Sequence, residues 1–172
     1  MRIINPSFGH QPVSTEKVKA GTVDWLRDPI ILFSNSKPNS QELLEGLRAK
    51  LGAVRTVTGG IDFISKDTAS RPAPPEIIDK VALKYKAALL ALGDLGSCSS
   101  WSFHDSVELE KRGITAYVIA TDTFRPLVLA QAKARKMDPK LLVVKHPVGG
   151  LNAAELTDRI DTAWASLRKV LG

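Results

Sequence analysis

Hydrophobic positions in this chain gather into short solid runs separated by longer stretches of helical spacing. Pro29-Ile-Ile-Leu-Phe33, Ala87-Ala-Leu-Leu-Ala-Leu92, Ile114-Thr-Ala-Tyr-Val-Ile-Ala120 and Leu141-Leu-Val-Val144 are the solid runs. Each is too short for a helix and is bounded by turn residues, which is the signature of a strand buried on both faces. Between them the apolar residues recur three and four apart. Leu43, Leu44, Leu47 and Leu51 predict a helix over 41–51, with Ser40 as N-cap and Gly52 as its end. Further helices are predicted over 76–85, behind Pro74 and Pro75, over 99–111, over 123–136 with Pro126 tolerated in the first turn, and over 153–171. Residues 53–57 read as a second strand, and 59–75 as a loop holding a short extended piece at Ile61-Asp-Phe-Ile64. Residues 1–28 read as irregular, punctuated by Pro6, Gly9, Pro12 and Gly21.

Apolar strands alternating with helices predict a single α/β domain spanning 1–172. The expected fold has three layers, with a mostly parallel sheet of about five strands between helices on both faces, as in Rossmann and flavodoxin-like folds. Right-handed crossovers bring all the carboxyl ends of such strands to one edge, where ligands bind. Polar residues cluster at those ends. Ser34, Asn35 and Ser36 follow the first strand; Asp94, Ser97 and Cys98 follow the third. Thr121 and Asp122 end the fourth, and His146, Gly149 and Gly150 follow the fifth.

The densest of these segments is Gly93-Asp-Leu-Gly-Ser-Cys98-Ser-Ser-Trp-Ser-Phe-His104-Asp105, a strand-loop-helix junction carrying the one cysteine of the chain. Unpaired N–H groups and the positive end of the helix dipole meet there, and cysteine pKa values fall at such positions. Cys98 then reads either as a reactive thiol, with the amides of Gly96, Ser97 and Ser99 as an oxyanion cradle, or as a small, inert core residue.

The segment Gly93-Asp-Leu-Gly-Ser-Cys98-Ser, with its Ser/Asp-containing helix and a glycine before the next strand, resembles the UGSC family. That family is named for a selenocysteine-Gly-Ser-Cys motif and is distantly similar to the selenoprotein subunits of glycine, sarcosine and betaine reductases. The resemblance is densest over Leu89–Gly113 and extends weakly to Ile3-Ile-Asn-Pro6 and Lys145-His-Pro147. It implies an α/β fold and a site around Cys98, which matches the family's cysteine. Leu95 stands in the selenocysteine position and has no redox-active atom. The resemblance therefore implies one-centre thiol chemistry, addition or elimination on a small carbonyl- or carboxylate-bearing substrate, rather than a disulfide cycle. Two alternatives stay open: a reductase-type subunit that borrows a redox residue or electrons from a partner, and a small-ligand-binding module without catalysis.

Composition narrows the class. The 172 residues are 44% hydrophobic and 24% charged, which suits one globular domain with a substantial core. The apolar runs fall short of a membrane span, and Met1-Arg-Ile-Ile-Asn-Pro6 is no signal peptide. A lone cysteine excludes an internal disulfide and fits a reducing cytoplasm. The formal charge of +6 is concentrated in part at Lys133, Arg135, Lys136 and Lys140. With aromatics at 6% and no recognisable module, these read as a solvated helix end rather than a nucleic-acid surface. The expected partner is a small molecule, possibly anionic, drawn by the positive field. No nucleic acid or membrane partner is expected, and a homo-oligomer or partner subunit is compatible with the sequence. No cofactor is expected either, because the chain has no nucleotide-binding glycine motif and no metal-ligand spacing.

Among candidate side chains, His146 reads as base or proton donor, or as a residue fixing the Pro-Val-Gly-Gly turn. Asp94 and Asp122 would orient His146, bind substrate, or cap the next helix. Asp105 lies where the dipole favours an acid whatever its role. Ser34, Asn35, Ser36, Gly149 and Gly150 read as an anion cradle or as plain turn chemistry. His104, six residues beyond Cys98, reads as outside its face, and His10 matters only if the N-terminal segment closes over the cleft. Trp25, Trp101 and Trp164 read as packing residues, with Trp101 a candidate pocket wall.

Overall fold

The computed structural model of the chain describes residues 23–57 and 60–171. Ten elements alternate: β1 (Ile30–Ser34), α1 (Ser40–Val54), β2 (Ile61–Ser65), α2 (Pro75–Lys84), β3 (Ala87–Gly93), α3 (Gly96–Lys111), β4 (Thr115–Thr121), α4 (Arg125–Ala134), β5 (Leu141–Val144) and α5 (Ala153–Leu171). The strands form one sheet in the order β2-β1-β3-β4-β5, and every neighbouring pair is parallel. This is the flavodoxin-like winding, in which the direction of travel reverses between β1 and β3.

The alternation of side chains across each strand explains the layers. Ile30 and Leu32 of β1, with Ala87 and Leu89 of β3, join Leu43, Leu44, Leu47 and Leu51 of α1 and Leu156, Ala163 and Leu167 of α5. The intervening Ile31, Phe33, Ala88 and Leu90 face the other way, onto Ile78 and Val81 of α2 and Leu109 of α3. Phe103 and Val107 of α3 pack against Val128 and Ala132 of α4 in a smaller cluster. Each fully buried Leu, Ile or Phe contributes about 1.5–3 kcal/mol, so the two main cores supply most of the driving force.

β3 is buried along its whole length, as a central parallel strand must be. Its pairing with β4 slips between Ala91 and Gly93, and Leu92 drops into the same cluster as Ala91. A Cβ on Gly93 would lie 2.9 Å from Ser99 Oγ and 3.3 Å from Ser99 Cα. Glycine there lets α3 approach the strand end closely, which sets the position of the helix start.

Two expectations about the elements are corrected. Residues 53–57 are not a strand: α1 runs through Gly52 to Val54 and its backbone closes with Arg55 N donating to Leu51 O. The second strand is instead Ile61–Ser65, the piece read as a short extension of the loop. Ser40 is the first residue of α1 rather than its cap, because Asn39 takes the cap position in a left-handed conformation (φ 66°). Among the described residues, no helix is long and apolar enough to cross a membrane. His10 and the punctuation of the first 22 residues lie outside the described residues.

Candidate functional site

The loops after β1 and β3 leave the sheet at the reversal point, and their polar residues meet there. Lys37 Nζ lies 3.6 Å from Asp94 Oδ1. The same carboxylate oxygen accepts the thiol proton of Cys98 at 3.5 Å. From the β5–α5 loop, Gly149 backs onto the other oxygen, so that a Cβ there would sit 3.1 Å from Asp94 Oδ2. That loop is tied to the β1–α1 loop by Asn39, whose Nδ2 donates to Val148 O at 2.8 Å and Leu151 O at 3.1 Å. Asp94, Cys98, Lys37 and Gly149 therefore form one group drawn from three loops.

Cys98 occupies the third position of α3. Its Sγ accepts the N–H of Leu95 at 3.1 Å, which is half of a capping box with sulfur in the usual place of Glu or Gln. Leu95 has no side-chain acceptor with which to reciprocate, and its side chain projects outward at 53% exposure. The thiol is 3% exposed and its proton also faces Leu95 O at 3.3 Å. Burial pushes the Cys98 thiol above its ordinary pKa, and the neighbouring Asp94 charge adds to this against the opposing backbone N–H bonds. The lowered pKa expected of a helix N-terminus is thus corrected: desolvation outweighs the helix-end amides here.

The expected amide cradle is partly used by the fold. Ser99 N donates to Leu95 O at 3.1 Å, and among the described residues the buried Ser99 Oγ, next to Gly93, has no hydrogen-bond partner. Gly96 faces open space and Ser97 is exposed. Ser34 and Asn35 are buried and engaged within the chain. Ser34 Oγ pairs with Ser40 Oγ, while Asn35 Nδ2 donates to Leu92 O at 2.8 Å and Ser102 Oγ at 3.2 Å. Ser36 Oγ bonds Ser65 Oγ at 2.8 Å and Lys66 O. These three side chains fasten β1 to β2, α1 and β3. Gly150, with φ 81°, is a turn residue facing open space.

A second group forms at the ends of β4 and β5. His146 Nδ1 lies 3.1 Å from Thr121 Oγ1, and the backbone N–H of His146 donates to Asp122 Oδ1 at 3.0 Å. Asp122 also accepts from Thr123 N at 2.9 Å. The His146 backbone bond is the largest influence holding the Asp122 carboxyl below the usual carboxylate range. Asp122 therefore fixes the backbone of His146 and caps the turn, while Thr121 holds its ring. Phe124 tilts against that ring with centroids 6.0 Å apart. Among the described residues, no hydrogen bond joins His146 to Asp94 or Cys98; Gly149, three residues on from His146, is the link between the two groups. His104 instead packs edge-on against Trp101, centroids 5.5 Å apart.

Sequence reasoning missed a buried ion pair that joins α3 to the β2–α2 loop. Lys66 Nζ and Asp105 Oδ2 are 2.6 Å apart and both side chains are almost fully enclosed. Asp105 Oδ1 accepts from Ala73 N at 2.8 Å, and Lys66 Nζ also donates to Arg71 O at 2.8 Å. The helical position of Asp105 favoured an acid but gave no sign of a lysine 39 residues upstream. Lys37 stands in the polar loop after the first strand, and its place at the reversal point is the signal that ranks it higher.

The chain is similar to a flavodoxin-like domain from Synechococcus sp. in a crystal structure, with 10% identity and a TM-score of 0.41, over 81% of this chain and 98% of that one. No curated protein matches the chain. The model of the UGSC family matches residues 2–172, spanning the Asp94–Cys98 loop, both groups at the strand ends and the whole sheet: the chain belongs to the UGSC family.

Proposed function

We propose that this UGSC-family protein is a cysteine-dependent enzyme acting on a small carbonyl- or carboxylate-bearing molecule at the carboxyl edge of its sheet. The observation that carries this reading is the hydrogen bond from the Cys98 thiol to Asp94, with Lys37 against the same carboxylate. A nucleophile paired with a proton acceptor, held by a cation, at the reversal point of an α/β sheet is the arrangement such chemistry needs. In the reaction the thiol proton passes to Asp94 as sulfur bonds to the substrate carbonyl carbon. The C=O π pair moves onto oxygen, where the free amides at the start of α3 stabilise it. His146 supplies the polar group of the neighbouring loop. With Leu95 in the selenocysteine position, no second redox atom stands beside Cys98, which favours addition or elimination over a disulfide cycle.

The raised thiol pKa and the capping bond to Leu95 N favour a second reading, a ligand-binding module in which Cys98 is structural. Iodoacetamide modification followed against pH separates the two. The enzyme reading expects Cys98 to be alkylated in the folded protein, with a midpoint above that of free cysteine and no labelling in Cys98→Ser. A thiol that resists alkylation until urea unfolds the chain overturns it in favour of the binding module.

A further inference from the structure

Thr121 is the buried end of β4, fully shielded from solvent. Among the described residues its hydroxyl has one partner, His146 Nδ1 at 3.1 Å. A hydroxyl carries one proton to donate, and a buried donor left without an acceptor costs about 1–3 kcal/mol. If Nδ1 bore the imidazole proton, it would donate to Thr121 Oγ1 and the threonine proton would have nowhere to go. With Nδ1 unprotonated, the threonine proton lands on it and both groups are satisfied. We infer that Thr121 is a positioning residue that fixes neutral His146 as the tautomer with its proton on Nε2.

The consequence is directional. Nε2 makes no hydrogen bond within the described residues, while the backbone of His146 is held by Asp122 and its ring face by Phe124. The ring thus presents an N–H, not a lone pair, from a half-buried position at the sheet edge. Neutral His146 acts toward a ligand as a hydrogen-bond donor, suited to a carbonyl or carboxylate oxygen and unsuited to taking a proton from it. This deepens the proposed function and rests on it for the ligand, but the tautomer does not depend on Cys98 reacting.

Nitrogen-15 NMR of histidine-labelled protein tests the inference without substrate, recorded where the ring signals no longer move with pH. His146→Gln identifies the resonances of residue 146. The expected wild-type pattern is a protonated Nε2 and a bare Nδ1. Thr121→Val should lower the Nε2–H to Nδ1–H ratio by roughly fivefold to tenfold, and Thr121→Ser should restore it. A wild-type ring protonated on Nδ1 overturns the inference, as does a ratio that Thr121→Val leaves unchanged. Either result leaves the alkylation test of Cys98 untouched, so failure here and failure of the enzyme reading are told apart.

Discussion

Two lysine–aspartate pairs bracket the first half of α3, and they are built to opposite ends. Lys66 and Asp105 meet at 2.6 Å in near-complete burial, and each charge has a further backbone partner, Arg71 O and Ala73 N. Lys37 and Asp94 approach only to 3.6 Å, with the lysine side chain 22% exposed, and the other partner of Asp94 is a thiol at 3.5 Å. The first pair has its charges spent on holding the β2–α2 loop against the helix. The second keeps capacity in hand: among the described residues its carboxylate makes two long contacts and no short one. Residue type and sequence neighbourhood look alike in the two cases; saturation of the hydrogen-bonding groups is what distinguishes a structural pair from a candidate reactive one.

The comparison breaks most visibly in stability. Asp105→Ala strands the buried Lys66 ammonium and should lower the unfolding free energy by about 3–5 kcal/mol, whereas Asp94→Ala should cost clearly less, because the Lys37 side chain it leaves behind is 22% exposed and reaches water. Urea denaturation of both variants checks this, and equal losses would erase the distinction. Gly149→Ala comes next. The added methyl would stand 3.1 Å from Asp94 Oδ2, so the carboxylate must give by a few tenths of an ångström, at a cost on the order of 1 kcal/mol, and Asp94 should shift in a crystal structure of the variant.

Smaller effects sharpen the chemistry. The folded state raises the Cys98 pKa above its unfolded value, so it binds this proton more tightly than the unfolded chain does. The resulting stabilisation is fully present below the unfolded cysteine pKa, about 8.5, and is lost as pH rises from there through the folded value. Cys98→Ala should flatten that alkaline limb in a series of denaturation curves. Smallest of all, Asp94→Asn removes the charge that disfavours the thiolate and should move the alkylation midpoint of Cys98 to lower pH. The shift should fall short of the free-cysteine value, because burial, the larger cause, remains.

Most of the fold was legible because the central strands are buried on both faces. Ile30–Phe33 and Ala87–Leu92 are solid apolar runs with no competing periodicity, and Leu141–Val144 keeps a solid run although β5 is an edge strand buried at alternate positions. The other edge strand, β2, was harder: only its Ile61 is buried, so its pattern is thin, while the β-branched Val54, Thr56 and Val57 nearby advertise a strand that packing does not make. Gly52, which looked like a helix end, is an exposed interior position with open space around it. At the site, the grouping of polar residues at strand ends followed from topology alone. Which of them are free did not. The engagement of Ser34, Asn35 and Ser36 depends on partners brought from Ser40, Ser65, Leu92 and Ser102 by the finished fold. Likewise, whether burial or the helix end governs Cys98 is decided by how closely α3 sits on Gly93.

The helix that carries Cys98 at its mouth is bolted at Asp105, seven residues or roughly 10 Å further along its axis. A rod clamped at that distance has little freedom to pivot, so the sulfur's location is inherited from an anchor that never meets a ligand. Loosening the Lys66 clasp should therefore unseat a thiol it does not touch, making the far side of the sheet edge a lever on the near one.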